Sequence, residues 1–137
     1  MDFDILNDKN KFKRVLKCFE CDPSGRLSQI AQETRDAIEC DAGKPEETKL
    51  RYKRDPLMYL DKIENEVEEL LDRCLECGCL IVRTGELETV FGEKVAYRSS
   101  KRAWLSEALD YLNHLEPGEL TSLAIVSDLI KMLQVAK

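Results

Sequence analysis

The opening stretch MDFDILND sets Asp2, Asp4 and Asp8 close together, with only apolar or amide side chains between them. In a strand, alternate residues share a face, so Asp2 and Asp4 would project together while Phe3 and Ile5 face the other way. Two carboxylates side by side repel each other unless a cation neutralises them. A hard divalent ion such as Mg²⁺ or Mn²⁺ prefers oxygen ligands of this kind. The plainer reading is a solvated chain end whose acids have no chemical task.

A second set of residues is written in sulfur. Cys18-x-x-Cys21 and Cys74-x-x-Cys77, with Cys79 beside the latter, have the form of a four-thiolate zinc site. Against zinc stand three features. Cys18 lies within a continuing helical pattern, Cys74 falls on an apolar stripe where a thiol acts as a small hydrophobe, and the two pairs are about fifty residues apart with nothing to show that they meet. The one histidine, His114, sits near a helix end and reads as a capping or surface residue. Neither GxSxG nor GxxxxGK[ST] occurs. Lys94, Arg98, Lys101 and Arg102 form a basic group that could contact nucleic-acid phosphates or simply begin a basic helix.

The elements that must position these residues follow from periodicity. Asn7 or Asp8 can cap a helix carrying Phe12, Val15, Leu16 and Phe19 on one face, stopped by the turn residues Asp22 to Gly25. A second helix follows with Leu27, Ile30, Ala31, Thr34, Ala37 and Ile38 inside. Residues 40–53 show no apolar period and read as a loop. From Pro56 a long stripe of Leu57, Leu60, Ile63, Val67, Leu70, Leu71 and Cys74 is backed by an acidic, solvated face of Asp61, Glu64, Glu66, Glu68, Glu69 and Asp72. Cys79 to Thr84 is a short apolar, β-branched run that reads as a buried strand. Two amphipathic helices close the chain, one with Trp104, Leu105, Ala108, Leu109 and Leu112, the other starting at about Thr121, with a turn at Pro117 between them. The count is about two short strands and about five helices.

With 137 residues, 43% apolar and 35% charged, the chain has the composition of one globular domain rather than a disordered segment. No apolar run is long enough to span a bilayer, and no secretory leader is evident, which points to the cytoplasm and reduced cysteines. A net charge of −6 argues against a general nucleic-acid coat but leaves room for a local basic patch.

The order of these features resembles the later half of the Toprim domain of the OLD (overcoming lysogenization defect) family of ATP-dependent nucleases. The resemblance rests on DFDILND, on the strand CLIVRT running into GELE, and on the helix KRAWLSEAL, and it covers roughly residues 1–110. It implies an α/β, partial Toprim-like (Rossmann-like) domain at 1–110 with two short parallel strands, followed by a helical extension at 111–137. It also implies metal-dependent DNA cleavage in which two Mg²⁺ or Mn²⁺ ions activate a water and stabilise the leaving oxygen. On that reading Asp2, Asp4 and Glu88 are catalytic, Asp2, Asp4, Glu86 and Glu88 hold the metal, and Lys94, Arg98, Lys101 and Arg102 meet DNA. The family's first strand and its glutamate would precede Asp2, so the resemblance describes a remnant that is weak or inactive without an ATPase and Toprim half supplied in cis or in trans. Two other readings stand beside it. One is a small helical protein-interaction module without catalysis, which binds a partner through its exposed strand edge or apolar stripes; the other is a zinc-stabilised binding module. A homo-oligomer is a partner state left open on each reading.

Overall fold

The computed structural model describes residues 1–96 and 100–135. Among them there is no β-strand, and the expected α/β class is replaced by an all-helical fold of seven α-helices joined by short 3-10 turns. These are α1 (Lys9–Cys18), α2 (Arg26–Ala42), α3 (Pro45–Lys53), α4 (Glu64–Glu76), α5 (Lys101–Asn113), α6 (Pro117–Ser122) and α7 (Ala124–Val135).

Both expected strands fail for the same reason: neither finds enough partner backbone. Phe3–Asn7 winds into a 3-10 turn. Residues 79–82 are irregular and largely buried, residues 83–84 turn (Gly85 amide to the Val82 carbonyl, 3.2 Å), and their neighbours offer only scattered hydrogen bonds. The Val82 amide donates to the Met1 carbonyl (2.8 Å), Phe3 to Gly85 (2.7 Å) and Asp55 to Thr84 (3.0 Å), and among the described residues the only ladder contact is an isolated antiparallel bridge between Arg54 and Gly85.

The region read as a loop holds a helix. α2 continues to Ala42, and Gly43 ends it in the left-handed conformation (φ 70°). α3 then begins with Pro45 and carries Glu46 and Glu47 in its first turn and Arg51 and Lys53 in its last, an arrangement that complements the helix dipole. Its one buried residue is Tyr52, so it lacks the apolar stripe on which a periodicity reading depends. The long helix expected from Pro56 is shorter: two 3-10 turns cover Pro56–Tyr59 and Asp61–Ile63 before α4 starts. Pro117 begins α6 rather than merely turning the chain.

The main core gathers Phe3, Leu6, Phe12, Leu16, Leu27, Ile30, Ile38, Tyr52, Leu60, Val67, Leu70 and Leu71 from the first four helices and the opening turn. A second cluster forms around Val95, Trp104 and Ala108, where Phe91 stacks on Trp104 (6.0 Å) and meets Tyr111 edge-on (5.4 Å). Arg83 links α4 to α7: its guanidinium pairs with Glu68, with Asp72 (2.7 Å) and with Asp128 (3.5 Å). Part of the acidic face of α4 is therefore neutralised rather than only solvated. No helix of the described residues is long and apolar enough to cross a membrane.

The start of α2 is fixed by Asp22. Its Oδ1 accepts from the Leu27 amide (2.8 Å), and its Oδ2 accepts from the Ser28 amide (3.0 Å) and hydroxyl (2.7 Å). Burial pushes this carboxyl up, but the hydrogen bonds from Ser28, Leu27 and Gly25 together outweigh it and hold it below its ordinary 3.8. A depressed folded value means a contribution present above pH 3.8 and lost as the pH falls through the folded value. Asp22→Ala should therefore cost about 1–2 kcal/mol in urea unfolding at pH 7, and the gap to the parent should close in acid.

Candidate functional site

Three of the four carboxylates singled out in the sequence come together. Asp2 Oδ1 accepts from the Leu87 amide (3.1 Å), which ties the chain's start to the turn that carries Glu86 and Glu88. Gly85 makes that approach possible. Its φ is +112°, and a Cβ there would lie 2.2 Å from the Lys53 carbonyl oxygen, so a residue with a side chain cannot occupy it without moving the backbone. Beyond this corner, Leu87–Thr89 forms a 3-10 turn, and Thr89 Oγ1 donates to the Glu86 carbonyl (2.6 Å).

Glu86 and Glu88 are both buried, the latter only 4% exposed. Each is met by a lysine: Glu86 Oε1 lies 3.7 Å from Lys53 Nζ, and Glu88 Oε1 lies 3.6 Å from Lys101 Nζ. Lys101 is held above its ordinary value, first by Glu88 and then by Asp2 and Glu86, so the four groups share one electrostatic neighbourhood. Glu88 Oε2 is buried without a hydrogen-bond partner.

Asp4 does not join them. In a 3-10 turn successive side chains are about 120° apart, so residues two apart point in widely different directions instead of sharing a face. Asp4 instead lines an open groove with Asn7, Lys11, Arg35, Lys49 and Tyr52. Of the basic group, Lys94 and Arg102 are exposed, Lys101 is engaged with Glu88, and Arg98 lies outside the described residues. His114 Nδ1 donates to the Asp110 carbonyl (2.6 Å) at the end of α5, a local capping contact.

These residues do not fit a two-ion centre. The ammonium groups of Lys53 and Lys101 supply positive charge beside Glu86 and Glu88, and Asp4 is turned away. Among the described residues, no group of three or more His, Cys, Asp or Glu is placed so that it could hold a metal ion. The cluster is a set of ion pairs, each joining a buried glutamate to a more exposed lysine, that links α3 and the start of α5 to residues 85–89, where the Asp2 carboxylate is also held. Neither lysine was singled out as a counter-ion in the sequence. Lys53 fell in a supposed loop and Lys101 in a supposed DNA patch, and no local spacing links either to its glutamate.

The thiols divide in the same way. Cys21, Cys74 and Cys79 are buried, Cys77 is half-buried, and Cys18 and Cys40 are exposed. The Cys21 thiol is within hydrogen-bonding reach of Cys77, and the Cys74 thiol of Cys79. The two cysteine motifs thus do meet, though through Cys21 alone from the first. The CxxC spacing was the signal for it, and only the packing of α1 on the end of α4 could show it.

No family model, curated protein or solved structure matches the chain.

Two outcomes follow for the carboxylate cluster. Because Lys101 has a raised folded value, its contribution is complete below its ordinary 10.5 and lost as the pH rises through the folded value. Lys101→Met should lower the melting temperature at pH 7, and the difference from the parent should shrink above pH 10.5. Separately, supercoiled plasmid incubated with the chain and Mn²⁺ should show at most trace nicking, no greater than with the Asp2→Ala/Asp4→Ala variant. Strong cleavage abolished in that variant would restore the two-ion assignment.

Proposed function

We propose that the chain acts as a helical protein-interaction module, pairing with a second copy of itself through the outer face of α5. The observation that carries this reading is a leucine stripe left outside the core. Trp104, Ala108 and Tyr111 turn inward on α5, whereas Leu105 and Leu109 are each 51% exposed and Leu112 is half-buried. Leu105, Leu109 and Leu112 follow the four-three spacing of a helix-pairing seam, in which each side chain fits between those of a facing helix.

The choice of a second copy rests on charge. Arg102 stands at one end of the stripe and Glu116 just beyond the other, both exposed. A second α5 laid antiparallel brings Leu105 against Leu112, sets the two Leu109 side chains near the two-fold axis, and places each Arg102 opposite a Glu116. The same patch then serves both partners, as an isologous dimer requires.

Magnitudes set the expected strength. Covering a half-exposed leucine contributes about 1 kcal/mol, so six contribute about 6. That is near the low end of the 4–15 kcal/mol estimated for lost translational and rotational freedom. The dimer should therefore be weak and populated only at high protein concentration. α7 leaves Leu129, Ile130 and Leu133 exposed as well, a second apolar face.

Sedimentation equilibrium up to millimolar concentration should show a monomer–dimer transition. Leu105→Glu/Leu109→Glu should abolish it without changing the circular dichroism spectrum. Arg102→Glu should weaken pairing and Glu116→Arg in the same chain should restore it. A monomer at every concentration, or a dimer indifferent to the leucine changes, would overturn self-pairing and leave the face to a different chain or to none.

A further inference from the structure

We propose that the groove between the N-terminal turn, the start of α1, α2 and the start of α3 binds a sugar monophosphate. Lys9, Lys44 and Lys49 meet the phosphate, and Asp4, Glu39 and Tyr52 meet the hydroxyls. The proposal is independent of the pairing surface, because no residue of α5 lines this groove.

The fold builds the groove from three segments. Asp8 ends the N-terminal turn and caps α1, its Oδ1 accepting from the Lys11 amide (3.0 Å). Arg35 of α2 fixes one wall: its guanidinium donates to the Leu6 carbonyl (2.7 Å) and to Gln32 Oε1 (2.8 Å). Gly43, left-handed at φ 70°, then turns the chain so that Lys44, Thr48 and Lys49 line the groove as well. The groove holds about 840 Å³, a size that suits a small molecule.

The observation that points to a ligand is Tyr52. It is 1% exposed and its ring meets Phe3 in the core (6.3 Å), yet it also lines the groove. Among the described residues its hydroxyl finds no hydrogen-bond partner, although it is buried. A buried hydroxyl left unpaired is destabilising, and an acceptor entering the groove would satisfy it. Burial pushes the phenol up to about 12, so at neutral pH it keeps its proton and can donate it to a ligand oxygen.

Charge sets the class of ligand. Lys9, Lys44 and Lys49 have no ion pair among the described residues, and neither do Asp4 and Glu39. Three unpaired ammonium groups match one dianionic phosphate. The acids beside them oppose a second phosphate or an extended polyanion, but they accept readily from hydroxyls. Tyr52 is the one aromatic residue of the lining and is buried, so no exposed ring offers a base a stacking surface. A sugar therefore fits better than a nucleoside. α1 and α3 both begin at the groove, but Asp8 at one start and Glu46 and Glu47 at the other offset their dipoles. The lysines carry the recognition.

The test titrates the full chain with ribose 5-phosphate, followed by amide NMR and calorimetry. Amides of residues 4–11 and 43–52 should shift together, inorganic phosphate should bind more weakly, and ribose should not bind. Lys44→Met/Lys49→Met should weaken the ester and inorganic phosphate alike, by about tenfold or more. Asp4→Ala/Glu39→Ala should weaken the ester alone. Tyr52→Phe should weaken the ester about fivefold without lowering the melting temperature, which a purely structural hydroxyl would not do. Leu105→Glu/Leu109→Glu should bind as the parent does, so failure of self-pairing and failure of this site are separable. Absence of any shift with the ester at millimolar concentration would overturn the site. So would inorganic phosphate or sulfate binding as tightly as the ester, binding that survives the lysine changes, or duplex DNA competing for the same amides.

Discussion

Residues 1–3 dock against residues 80–87 through four hydrogen bonds: the Met1 ammonium to the Leu80 carbonyl, Val82 to the Met1 carbonyl, Phe3 to the Gly85 carbonyl, and Leu87 to the Asp2 carboxylate. Much of the remaining structure hangs on that seam. It delivers Phe3 and Leu6, both fully buried, into the middle of the core, where Phe3 meets Tyr52 of α3 (6.3 Å between rings). On its far side Gly85 touches the backbone of Lys53 and Arg54, so the end of α3, the N-terminal turn and the segment 79–86 share one narrow contact. A side chain at residue 85 would drive these three apart, and the core would lose the walls that α3 and the opening turn provide.

The charged groups around the seam compensate for burial. Removing a carboxylate from water is costly unless a partner is supplied. Glu86 and Glu88 each have a lysine, and Asp128 has Arg83. Glu88 is the least well served, with one oxygen lacking a partner. These pairs come from elements distant in sequence, so they act as staples. α5 is held at its start by Lys101, and α7 is held against α4 by Arg83. Outside these staples, α5 leaves Leu105 and Leu109 exposed, and α7 leaves Leu129, Ile130 and Leu133 exposed.

The resemblance to OLD-type Toprim domains led to two different kinds of statement. The closeness of Asp2 to residues 85–88 is a local juxtaposition, and the structure has it. The α/β class is a global statement, and the structure does not have it. A DxD and a GELE turn can be brought together by a few hydrogen bonds, whereas a sheet needs several strands pairing along their length. Asp4 shows the cost of the difference: once the opening strand becomes a 3-10 turn, the second aspartate of the pair leaves the cluster.

Much was determined by the sequence alone. α1, α2 and the core of α4 follow from apolar residues at three-four spacing, because a helix that buries one face must repeat it every turn. The turn at Asp22 to Gly25 and the buried run at 79–84 were equally legible. Tertiary structure decided the rest. α3 lacks an apolar stripe and is stabilised by its termini and by Tyr52. The run at 79–84 became an irregular segment ending in a turn instead of a strand because only isolated backbone partners reached it. Cys21 rather than Cys18 joined the other thiols because a left-handed residue at 20 reversed the chain between them. Lys53 and Lys101 found Glu86 and Glu88 across the fold. Periodicity records which residues must leave water, and it carries no information about which distant group each will meet there. That is settled only when the helices pack.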